Sequence, residues 1–144
     1  MIRRLIFIFV LIFAAIACGH IDGYQGDTIG LSSTRHTFEA SGGEVEITTK
    51  GEHWRNGSAK IDGSETTYYP QELSRLEALH GPKYNGIMVP DTIKGPWFWV
   101  ARPELKKLVI HTDQNTSDQQ RKFTLALPDL DYRGFVYITQ KAAK

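Results

Sequence analysis

The chain has 144 residues, with 17 Lys and Arg against 16 Asp and Glu, 11% aromatic residues and a single cysteine. With no overall basic excess to displace counterions, no nucleic-acid partner is implied, and one cysteine excludes an internal disulfide.

The chain opens on MIRR, with Arg3 and Arg4, and residues 5–17 form an unbroken apolar run that ends in small side chains. This reads as a signal peptide over residues 1–17, because the run falls short of the roughly 20 residues a permanent span needs. The next motif, AIAC, holds the only cysteine and resembles the lipobox of bacterial lipoproteins. Small Ala17 fits that box, whereas Ala15 replaces its more usual leucine. The resemblance implies that Cys18 is lipidated and becomes the first residue; ordinary cleavage leaving a free thiol is the alternative. Acylation contributes about 0.8 kcal/mol per buried methylene, and more than one chain makes attachment stable. The expected location is therefore the outer membrane, held by lipid alone, on its periplasmic side or at the cell surface. Only Asp22 stands where some surface lipoproteins carry an acidic run.

Cleavage before Cys18 leaves 127 residues with 15 basic and 16 acidic side chains, enough for one domain with its own core. Residues 18–28, which include GHIDGYQGD, read as a flexible tether, and residues 29–144 as the domain. The segments HTFEA and EVEITT place Phe38, Ala40, Val45 and Ile47 on one face, with Glu44, Glu46 and Thr48 on the other. Such alternation with one wet face predicts antiparallel strands. Ser41, Gly42 and Gly43 form a tight link between these two.

The middle, residues 64–102, is less regular. PQELSRLEALHGP starts with a proline and stops at Gly81 and Pro82, and Leu73, Leu76 and Leu79 would share a face, so a short helix is expected. The stretch YNGIMVPDTIKGP reads as a broken strand with two prolines, suited to an edge or loop. In the last third, KKLVIHTD, RKFTLALP and GFVYITQK alternate again. They point Leu108, Ile110, Phe123, Leu125, Leu127, Val136 and Ile138 inward. The fold class is all-β, a β-sandwich with a short helix or long irregular insertion in its middle.

The order of these motifs resembles BACON-type modules, which are immunoglobulin-like bacterial domains. An alternating strand, Gly42-Gly43, a second strand and Trp54 come first. A Gly-x-Trp entry at Gly95 and Trp97 follows, then Asn115, Ser117 and Arg121 as bridging residues, and Gln140 after the last strand. The resemblance spans about residues 29–142. It implies an immunoglobulin-like antiparallel sandwich and either carbohydrate binding or a spacer role. Two features depart from the pattern: Arg55, Asn56 and Gly57 read as a turn where the family continues its strand, and the middle is expanded.

Catalytic patterns are missing. His20, His36, His53, His80 and His111 occur singly, without the spacing of a zinc site, and DQNTSD lacks the glycine and glutamate that complete a calcium loop. No serine lies in a Gly-x-Ser-x-Gly elbow. The chain is read as a non-enzyme without metal or cofactor.

The aromatic residues carry the functional expectation. Trp97, Trp99, Tyr68, Tyr69 and Tyr84 cluster in or beside the middle segment, and indole or phenol rings can stack on the C–H faces of sugars. Trp97 and Trp99 would share one side of a strand. If that side meets water it is a platform for a glycan or polysaccharide; if it turns inward the rings anchor the core. By the family resemblance Trp97 and Trp54 are core, which leaves Trp99 and the tyrosines as the sharper candidates. Two functions are expected: a lipid-anchored carbohydrate-binding module, or a structural subunit that docks another envelope protein through an aromatic hot spot.

Overall fold

The computed structural model describes residues 26–71 and 92–144, together with the backbone of 83–84 and 87–88. The expected signal peptide, Cys18, most of the tether and the expected helix lie outside the described residues. In chain order the strands are β1 (Arg35–Phe38), β2 (Gly43–Thr48), β3 (Ser58–Ile61), β4 (Thr67–Tyr68), β5 (Lys83–Tyr84) and β6 (Ile87–Met88). They continue as β7 (Thr92–Lys94), β8 (Phe98–Glu104), β9 (Lys107–Thr112), β10 (Arg121–Asp129) and β11 (Tyr132–Gln140). One sheet has the order β1-β11-β10-β3-β4 and the other β2-β9-β8-β7, while β5 and β6 pair with each other. The two larger sheets pack face to face as an immunoglobulin-like β-sandwich.

Period-two alternation builds the core. Ile47, Ile93, Val100, Leu108 and Ile110 of the four-stranded sheet meet Phe38, Ala59, Phe123, Leu125, Leu127, Val136 and Ile138 of the five-stranded sheet, all buried. Each large apolar side chain so placed contributes about 1.5–3 kcal/mol. Val45 is half-buried and packs against this cluster. Contacts begin ahead of residue 29: the Asp27 carboxylate accepts from the Ile29 and Gly30 amides, and the Thr28 hydroxyl donates to Asp129 at 2.6 Å.

Three local features differ from the sequence expectation. The link through Gly42 and Gly43 carries the chain from one sheet to the other, so β1 and β2 are not partners: β1 runs parallel to β11, and β2 pairs with β9. Gly42 sits at φ 75° with its α-carbon against the Thr112 carbonyl, where a Cβ would lie 2.2 Å from that oxygen, so no other residue fits.

The expected turn at Arg55 to Gly57 is instead an irregular continuation of pairing ahead of β3. The Arg55 and Gly57 amides donate to the carbonyls of Pro128 and Ala126 on β10, and a Cβ on Gly57 would meet both residues at under 3 Å. Turn-prone side chains here yield to a long partner strand. Finally, Gln140 is the last residue of β11 rather than one beyond it, and it is fully buried.

Gln140 holds three connections together. Its Nε2 donates to the carbonyls of Asp113 (2.8 Å), Glu39 and Ala40 (3.3 Å each), and its Oε1 accepts from Arg121 Nε at 2.8 Å. Buried Asn115 donates to the carbonyls of Gln119 and Lys141, while its side-chain oxygen accepts from the Ser117 amide and hydroxyl. The turn-rich residues 113–120 are thus stitched by side chains to the end of β11. At the other end Trp54 is fully buried, donates from Nε1 to Thr49 at 2.9 Å, and carries the buried Arg102 guanidinium 4.3 Å from its ring centre. Arg102 donates to the carbonyls of Glu52 and Leu105.

Candidate functional site

The two tryptophans expected to share a platform are parted where β8 begins. That strand starts at Phe98, so Trp97 precedes it and escapes its alternation. Gly95 opens the way: a Cβ there would stand 2.2 Å from the Phe98 ring, which instead lies over the glycine and stacks on Phe123 at 4.0 Å. Trp97 meets both phenylalanines edge-on and packs on the core, and Arg121 covers one indole face at 4.3 Å. Burial pulls the Arg121 guanidinium below its ordinary pKa, opposed by the Asp113 carboxylate, yet it remains a cation at neutral pH.

Trp99 lies on the outer face of the four-stranded sheet. Its indole is stacked on His111, the cross-strand partner, at 5.1 Å and 6° between planes. The imidazole in turn lies 3.4 Å from Glu44 and 3.1 Å from Asp113. One face of each indole is therefore already covered, by Arg121 or by His111.

The adjacent tyrosines diverge by strand alternation. Tyr68 is half-buried and meets Phe98 edge-on at 5.8 Å, whereas Tyr69 is 65% exposed. Tyr84 belongs to β5, and its side chain lies outside the described residues. Among the described residues no group of three His, Cys, Asp or Glu side chains converges as a metal would require.

Among the described residues, a further pair of exposed aromatic rings lies on a strand face that sequence reasoning passed over. The alternation that buries Val136 and Ile138 turns Phe135 and Tyr137 outward, where they are 40% and 45% exposed with ring centres 6.5 Å apart. The signal was legible in GFVYITQK: every second residue not assigned to the core belongs to the other face. Arg35 lies over the Tyr137 ring at 5.4 Å from the neighbouring parallel strand. Across the sheet, Tyr137 faces Thr124 and then Lys60, and Phe135 faces Ala126 and then Ser58.

Those small side chains leave the surface flat or concave. A cleft of about 490 Å3 opens over Gly57, Ser58 and Ala126, with Tyr69, Arg55 and Arg133 on its walls. A second, of about 350 Å3, lies between Arg35, Lys122, Asp62 and Tyr137. Both open on the outer face of the five-stranded sheet. Chemically this face offers aromatic planes, guanidinium and ammonium donors, and threonine hydroxyls.

No family model and no curated protein matches the chain. In fold it is similar to an NMR structure of a protein from Bacteroides thetaiotaomicron, with a TM-score of 0.60 and 19% sequence identity over 88% of this chain and 96% of the other. At that identity the likeness shows the fold alone.

Proposed function

We propose that this is a lipid-anchored, non-catalytic carbohydrate-binding module of the bacterial envelope, BACON-like in its ancestry. The observation that carries the reading is the exposed Phe135–Tyr137 pair on a flat sheet face, with Tyr69 in an adjoining cleft. Rigid aromatic rings cover the apolar faces of sugars at low entropic cost, and nearby Arg, Ser and Thr groups meet the hydroxyls. Cys18 would hold the domain to the outer membrane, and the tether would set its reach toward a polysaccharide.

A broad glycan-binding screen tests this, with the Phe135→Ala/Tyr137→Ala double variant beside the wild type and Trp99→Ala as the competing site. Wild type should bind, and the double variant should lose tenfold or more, about 1.4 kcal/mol, without a lower melting temperature. Failure of wild type to bind any polysaccharide would sink the reading, and loss confined to Trp99→Ala would move the site to the other sheet. Fatty-acid labelling that disappears in Cys18→Ser checks the anchor.

A second reading, a docking module for an envelope protein, draws on Leu130. This residue is 80% exposed at the β10–β11 turn and sits at φ 50°, where a bulky side chain is disfavoured. Cross-linking to a neighbour that Leu130→Asp abolishes, in a protein without glycan affinity, would favour that reading.

A further inference from the structure

The outer face of the five-stranded sheet is basic as well as aromatic. Arg35, Lys60, Lys122 and Arg133 project from it, and Arg55 joins Arg133 at the larger cleft, all exposed. Asp62 is the one carboxylate lining either cleft. Among the described residues no carboxylate lies within ion-pair distance of these five cations. The ion pairs of Lys106 with Glu52 and of Lys107 with Glu46 and Glu104 involve the other sheet and its loops, and that of Lys141 with Glu39 lies just past the ends of β11 and β1, using none of these five cations. A chain with almost no net charge thus concentrates unneutralised positive charge around its exposed aromatic pair.

We propose that the ligand of this face is an acidic polysaccharide carrying carboxylates, as in a polyuronate; this rests on the carbohydrate reading above and specifies its substrate class. The spacing decides for a polymer with separated charges. Arg35 is one strand from Tyr137, and Lys60 is two, which places them about 5 and 10 Å away across the sheet. A phosphate group calls for several donors converging on one point, whereas these cations are spread along the face. Arg55 and Arg133 share the larger cleft and Arg35 and Lys122 the smaller, two cations in each; the two guanidinium groups of the larger suit one carboxylate beside a stacking ring, here Tyr69.

A membrane surface fits less well. Phe135 and Tyr137 lie mid-strand, not at a protruding tip, and an interfacial anchor must bury its apolar side 5–10 Å deep. Single-stranded nucleic acid could also use bases stacked between cations, and it enters the test as a competitor.

The experiment measures binding of the full chain, held in a non-ionic detergent, to polygalacturonate and to the same polymer fully methyl-esterified. Polygalacturonate should bind at least tenfold more tightly than the ester at low salt. Its affinity should fall roughly tenfold between about 50 and 200 mM salt, as neutralising two or three charges requires. The Arg35→Gln/Lys122→Gln/Arg133→Gln variant should bring the acid down to the level of the ester, leave the ester unchanged, and keep the melting temperature.

Equal, salt-independent binding of acid and ester would overturn the charge proposal and leave the carbohydrate reading standing. No binding to either polymer or to any other glycan would end both. Tighter binding to vesicles of phosphatidylcholine with phosphatidylglycerol, or to oligothymidylate, would overturn it in favour of a membrane or nucleic-acid ligand.

Discussion

Replacing Gln140 by Ala removes a side chain that joins the β1–β2 link, residues 113–120 and the start of β10. The charge-assisted bond from Arg121 Nε at 2.8 Å is worth about 1.5–3 kcal/mol, and the donation to the Asp113 carbonyl, also 2.8 Å, about 1 kcal/mol. The two contacts at 3.3 Å share one amide and add at most about 1 kcal/mol together. Asp113 keeps a bond from Arg121 Nη2 at 2.7 Å, so its carbonyl is not orphaned, but the one lost methylene contributes further. Allowing for non-additivity, the expected loss is about 3–5 kcal/mol, read from urea unfolding with an unchanged m-value. Gln140→Leu keeps the volume and should still lose most of this. A loss under about 1 kcal/mol in both variants would refute the argument, because it would mean that water or a neighbour replaces the amide without penalty.

Leu130→Gly should raise stability by about 0.5–1 kcal/mol in the same unfolding experiment, since relief of the left-handed conformation exceeds the added chain entropy and little packing is lost at 80% exposure. Gly95→Ala should cost about 1–3 kcal/mol, because the new methyl displaces the Phe98 ring from its stack on Phe123; a shifted Phe98 resonance would accompany the lower midpoint. The Glu52 carboxyl should titrate below the ordinary carboxylate range, through its hydrogen bond and charge pairing with Lys106 at 2.9 Å. The depressed value means that this pair supports the fold above the ordinary carboxylate range and is lost as pH falls through the folded value. Carbon-detected NMR titration should find the Glu52 value raised in Lys106→Met.

Much of the sandwich was legible because its interior follows a strict period of two. Leu108, Ile110, Phe123, Leu125, Leu127, Val136 and Ile138 are buried as their alternation requires. What escaped depends on partners far away in sequence. Nothing local states that β1 pairs parallel with β11, more than ninety residues on, or that Arg55 and Gly57 donate to β10 rather than closing a turn. Trp97 packs on the core as the resemblance implied, but its parting from Trp99 escaped for another reason. Its side of the chain could be assigned only if β8 extended to it, and the strand begins one residue later, at the point where Gly95 admits the Phe98 ring. Arg102, which looks like the end of an apolar stretch, is buried because Trp54 and two carbonyls receive it. The attention drawn by tryptophan also hid the plainer pair: Phe135 and Tyr137 were readable as outward residues once Val136 was assigned inward.

The two outer faces differ in what a charged ligand could gain from them. On the four-stranded sheet, Glu44 lies beside His111, His111 stacks on Trp99, and Glu46 and Glu104 both hold Lys107. Any ligand there must break contacts within the face before making its own, so each new contact offsets an old one. On the five-stranded sheet Arg35 lies over the Tyr137 ring, but the Arg35, Lys60, Lys122 and Arg133 charges have no carboxylate within ion-pair distance among the described residues, and Phe135 and Tyr137 remain 40% and 45% exposed. Their mutual repulsion is a standing cost of the free protein, screened by salt and relieved by an anion. Surface ion pairs contribute little to stability, so the absence of carboxylate partners forgoes little beyond that repulsion, while it leaves the charges available to a partner of opposite sign. That difference, more than the number of aromatic rings, is what supports proposing the binding face on the sheet that carries β11.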